Sequence, residues 1–152
     1  MINTRALLAL ACLAATAIPA LAAAESCPML TASDVQGATG AHVVAVPFNS
    51  KPGAGGHCAN YATDNGRLFL GVTRLASASD YAQAVASVPS AVYPKRSKLS
   101  GVGDEGVLMK DGGGTLRYLV ARKGARGVVL FPFGPQPSDA QLEKLASIAL
   151  SR

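Results

Sequence analysis

Apolar and polar positions alternate in short blocks set off by Gly, Pro, Asn and Ser clusters, and the period within each block predicts its element. A short helix comes first. Thr31 caps it, Asp34 completes an approximate capping box, Leu30 and Val35 stand at hydrophobic-staple positions, and Gly40 stops it. Residues 42–48 (HVVAVPF) read as a strand and residues 49–56 (NSKPGAGG) as a flexible loop. Two strand-like runs, 58–63 and 67–75, flank Asp64-Asn65-Gly66, a hairpin signal because Asn and Gly both tolerate positive φ. In the second arm Leu68, Leu70 and Val72 alternate with Arg67, Phe69 and Thr73, which predicts a single buried face.

A second helix starts at Ser77 with Asp80 in its first turn. Tyr81, Val85 and Val88 form its apolar stripe, and Pro89 ends it. Residues 89–104 form the longest irregular stretch and carry the basic run Lys95-Arg96-Ser97-Lys98. Strand-like runs follow at 107–110, 115–122 and 127–133. Among them Leu116, Tyr118 and Val120 alternate with Arg117 and Lys123, so one face of this hairpin is expected to be wet. Ser138 and Gln141 form a capping box for a last helix, with Leu142, Leu145, Ala146 and Ala149 along one side.

The predicted order is α-βββ-α-βββ-α. Tight turns between strands imply antiparallel pairing, and helices with one apolar stripe cover one side of a sheet. The expected fold is α+β, a two-layer sandwich whose antiparallel sheet has about six strands, with the helices on one face. The repeated βββα order suggests an internal pseudo-repeat, without a residue-level match.

The beginning of the chain changes the compartment. Residues 1–5 are short and positively charged, residues 6–18 (ALLALACLAATAI) are apolar, and Pro19 and a run of alanines follow. This is the pattern of a secretory signal peptide over residues 1–24, cleaved before Glu25, leaving 25–152 as a single domain. The apolar run is shorter than the roughly 20 residues of a membrane span, and no second one follows. Lipid attachment at Cys12 or Cys27 fits poorly, since neither preceding tripeptide suits lipoprotein processing. Cys12 leaves with the signal, so Cys27 and Cys58 form an even pair, and an exported domain makes a disulfide the default. Redox chemistry would want a Cys-x-x-Cys spacing, which is absent.

The net charge of +5 over 152 residues is a mild basic surplus. It permits an anionic ligand or an unidentified envelope protein as partner. The absence of Trp and the scarcity of aromatics argue against a nucleic-acid stacking platform.

The landmarks Cys27-Pro28-Met29-Leu30-Thr31, Gly40, Cys58-Ala59-Asn60-Tyr61 and Gly101-Val102-Gly103-Asp104-Glu105, with a closing helix, resemble a group of small exported domains. These are actinobacterial lipoprotein domains of unknown function and the similar extracellular sensor domain of a mycobacterial Ser/Thr kinase. The resemblance implies an α+β domain with a Cys27–Cys58 bond and supplies no catalytic residues. Here the lipid-attachment cysteine, the kinase and a transmembrane segment are missing.

Candidate chemistry is sparse. His42 and His57 lack metal-ligand spacing. Asp104 and Glu105 sit in a Gly-rich turn, where an aspartate serves backbone donors. Gly101–Gly106 and Gly112–Gly114 lead into strands, which excludes a phosphate loop opening a helix. Serines stand at helix starts, and Gly-x-Ser-x-Gly is absent. No catalytic, cofactor or metal residue is assigned. The residues expected to touch a partner are Lys95, Arg96 and Lys98. The chain therefore reads as a monomeric, non-enzymatic, periplasmic or secreted binding or sensor-like protein of the bacterial envelope, without cofactor, its ligand on the exposed sheet face or around residues 89–104. The alternatives are a small hydrolase using His57 with Asp104 or Asp64, and a protein inhibitor of a secreted hydrolase.

Overall fold

The computed structural model describes residues 29–46 and 56–152. The signal segment, Cys27 and most of the predicted 49–56 loop lie outside the described residues. In chain order the elements are α1 (Ala32–Thr39), β1 (Val43–Val46), β2 (His57–Thr63), β3 (Leu68–Leu75), α2 (Ala78–Ser87), β4 (Lys95–Lys98), β5 (Glu105–Lys110), β6 (Arg117–Lys123), β7 (Arg126–Pro132) and α3 (Asp139–Ser151). The strands form one antiparallel sheet in the order β1-β2-β3-β7-β6-β5-β4. The fold is α+β, with seven strands among the described residues where about six were expected.

Local chemistry explains the helix ends. The Thr31 hydroxyl accepts the Asp34 N–H at 3.2 Å while the Asp34 carboxylate accepts the Thr31 N–H at 2.7 Å. Leu30 and Val35, the staple pair, are fully buried, and Gly40 ends α1 at φ 74°. Ser138 and Gln141 cap α3 in the same reciprocal way. The β2–β3 hairpin differs in detail from expectation. Only Gly66 takes positive φ (77°), and the Gly66 N–H donates to Thr63 O while the Thr63 N–H donates to Arg67 O. This is a type I turn with a left-handed glycine behind it, not a turn with both Asn65 and Gly66 left-handed.

Two expectations give way to the tertiary structure. The run 95–98 is not loop but an edge strand, paired residue for residue with β5 from Lys95↔Lys110 to Lys98↔Val107. Charged residues hid it, because an edge strand solvated along its outer side needs no apolar face. The helices also do not share a face. α1 and α3 pack with Tyr61, Leu70, Val72, Leu119, Val128 and Leu130 on one side. α2 packs with Leu75, Met109, Val120 and Val129 on the other. The centre of the sheet is thus covered twice, which is why β3, β6 and β7 are apolar at consecutive positions. The expected wet face of β6 is buried: Tyr118 and Val120 face α2, and Leu119 and Ala121 face α3. The placement of α2 and α3 also ends the pseudo-repeat. A two-fold relating antiparallel β3 and β7 stands perpendicular to the sheet and would keep both helices on one face.

Candidate functional site

On the face that carries α2, register lines up one residue from every strand. Arg96, Met109, Tyr118, Phe131, Gly71, Asn60 and Val46 form a row across the sheet. Its middle is aromatic. The Tyr118 and Phe131 rings stack with centroids 6.2 Å apart, and Phe131 meets Phe133 at 5.0 Å and Tyr118 meets Tyr93 at 6.3 Å, both tilted. Gly71 makes room for this. A Cβ there would lie 2.7 Å from the Phe131 ring, so the missing side chain lets the ring lie over the strand.

α2 covers only one end of this face. Beside it an open groove of about 640 Å³ runs between the helix and β3, lined by Thr73, Leu75, Asp80, Ala84, Tyr118 and Val129. Tyr118 belongs to both groove and aromatic row. Beyond the row Leu116, Phe133, Leu68 and Val44 are large apolar side chains left exposed. Burial raises the pKa of the Tyr118 phenol, and neighbouring Tyr93 adds to the shift, so it enters any contact as a neutral donor. Such a surface offers apolar area, aromatic faces and a few hydroxyls.

The basic residues Lys95, Arg96 and Lys98 sit at the β4 edge, and two of them are already engaged. Arg96 Nη1 and Nη2 donate to the carbonyls of Val85 (3.3 Å) and Val88 (2.6 Å), closing the C-terminus of α2. Lys95 Nζ donates to Gly112 O at 2.8 Å. Lys98, opposite Val107, shares the α2 face with Arg96, and its ammonium group makes no hydrogen bond to a described residue.

The other candidates are spread apart. The histidine that meets Asp64 is His42, with Nδ1 2.6 Å from Oδ1, both exposed. His57 begins β2 and Asp64 follows its end. Seven steps of about 3.3 Å place them roughly 23 Å apart along the strand. Asp104 lies four strand positions away from β2, roughly 19 Å at about 4.8 Å per strand. Its Oδ2 accepts the Gly124 N–H at 2.7 Å, so it serves a backbone donor, though in the β6–β7 turn rather than its own. Glu105 pairs with Arg122 at 3.0 Å, and the Arg122 guanidinium stands 5.6 Å over the Tyr81 ring of α2. Cys58 lies partly buried on β2, and its expected partner lies outside the described residues. Among the described residues no group of three His, Cys, Asp or Glu side chains gathers as metal ligands, and no helix is long and apolar enough to cross a membrane.

Reasoning from sequence missed the aromatic row, because Tyr93, Tyr118, Phe131 and Phe133 come from separate segments. The one local signal was the spacing of Leu116 with Tyr118 and of Phe131 with Phe133. Comparison of the chain with protein-family models, with curated proteins and with solved structures finds no match in any of the three.

Proposed function

We propose that this protein is an exported, non-enzymatic binding or sensor-like domain of the bacterial envelope, stapled by a Cys27–Cys58 disulfide, whose partner docks on the aromatic sheet face beside α2. The observation that carries the reading is the row Tyr93–Tyr118–Phe131–Phe133 opening onto an open groove. Aromatic side chains in a concave, mostly apolar setting are the usual anchors of recognition. Export rests on the signal-like residues 1–24, and the disulfide on the even cysteine pair in an oxidising compartment. The resemblance to small exported sensor-like domains points the same way.

The test is affinity capture from envelope extract with residues 25–152, compared with Tyr118→Ala, Phe133→Ala and Lys98→Gln variants of unchanged circular dichroism. A partner retained by the parent and lost by the two aromatic variants supports the reading. Equal recovery by all of them overturns the site. Arg96 is excluded from the comparison because its guanidinium holds α2, so its loss would disturb the groove itself. An intact mass two hydrogens light under non-reducing conditions checks the disulfide, and two free thiols refute it.

A further inference from the structure

Three arginines converge where α3 ends. Arg74 on β3, Arg126 at the start of β7 and Arg152 just past α3 line one pocket of about 140 Å³, floored by the buried Met29 and Ala149. Register accounts for the first two. Arg74 lies opposite Val128, so Arg126, two residues earlier on β7, stands on the same sheet face at the diagonal position. That face carries α3, whose final residues bring Arg152 to the same place.

Charge at this point is unbalanced. Arg152 donates through Nη2 to Asp34 at 2.8 Å, but Arg74 and Arg126 form no ion pair with a described residue. Against three cations stand Asp34 and about half a charge from the C-terminal end of the α3 dipole. The guanidiniums of Arg74 and Arg126, with their forks of donors, thus line a shared pocket and donate to no acceptor among the described residues.

We propose that this pocket binds a phosphate group. A tetrahedral oxyanion offers enough acceptor oxygens to receive donation from three guanidiniums at once, whereas a carboxylate has only two. The volume is well below the roughly 300–1,000 Å³ typical of small-molecule sites, so it admits a headgroup-sized anion rather than a whole cofactor. The site lies away from the aromatic face and stands or falls independently of the proposed function.

The experiment is calorimetric titration of residues 25–152 with inorganic phosphate, with sodium chloride at matched ionic strength as control, and co-sedimentation with phosphatidylglycerol vesicles as a separate arm. Saturable phosphate binding is expected, weakened about tenfold or more in Arg74→Gln and in Arg126→Gln, since each removes a charge-assisted contact. Both side chains are exposed, so both variants should keep the parent melting temperature without phosphate. Arg126→Lys, which keeps the charge and loses the fork, guards against misfolding and should bind with intermediate affinity. Vesicle binding without free-phosphate binding, lost in the same variants, assigns the phosphate to a lipid headgroup. No binding in either arm, unchanged affinity in both glutamine variants, or an equal response to chloride overturns the site.

Discussion

Tyr61 shows how much one residue can bind together. Its ring is fully buried in the α1/α3 core, and its hydroxyl donates to Leu30 O, tying β2 to the segment that enters α1. Burial pushes the phenol up to about 12 from an ordinary 10, with the Asp34 charge adding to the rise and Arg152 opposing it. A folded-state pKa above the unfolded one means stability is undiminished below about pH 10 and is lost as pH rises from about 10 through about 12. Tyr61→Phe lacks this component. The urea midpoints of the two proteins, apart near pH 9 through the lost hydrogen bond, should draw together across that interval. Gly71 makes a second residue-scale case. Ala in its place puts a methyl into the Phe131 ring, so the ring must swing off the sheet. Gly71→Ala should cost about 1–3 kcal/mol by urea denaturation, as overpacking does, and should shift the aromatic NMR resonances of Phe131 and Tyr118.

At the scale of elements, caps and edges carry the argument. α3 supplies five buried residues to the core, among them Leu142, Leu145 and Ala149, and it starts from a complete capping box. Ser138→Ala should therefore lower global stability by about 1 kcal/mol, read as a fall in urea midpoint at constant slope. β4 shows why composition misleads at an edge. Its four residues are all exposed, yet Arg96 reaches back to the last carbonyls of α2. Arg96→Gln should speed hydrogen exchange at the C-terminal end of α2, while Lys98→Gln leaves it unchanged. Equal behaviour of the two would show that the Arg96 contacts do not hold the helix.

At the scale of the whole molecule, the sheet is a wall between two unequal cores. The α1/α3 side is the larger, and the α2 side is small and open at one end. Had all helices lain on one face, Val120 would point to water and Val120→Ala would be nearly neutral. Buried against α2, it should instead cost on the order of 1–3 kcal/mol in urea denaturation, with Leu119→Ala on the opposite face costing about 2–5 kcal/mol. The same asymmetry leaves the aromatic row accessible.

What the sequence determined by itself was local. Thr31, Asp34, Ser77, Ser138, Gln141, Gly40 and Gly66 carry their capping and turn geometry within a few residues of chain, so helix starts, the first hairpin and the α+β class were legible. Hydrophobic alternation also located β3 and β6, and a strand-like apolar run located β7. It did not reveal that both their faces are buried, because a doubly covered strand blends into a continuous apolar run. Three things were decided only by the tertiary structure: the side on which α2 lies, the pairing that turns 95–98 into a strand, and the register that gathers Tyr93, Tyr118, Phe131 and Phe133. The same register brings Arg74 to Arg126, and α3 brings Arg152 to both. Each depends on contacts between residues far apart in sequence, where packing against a partner element, rather than local preference, sets the lowest free energy.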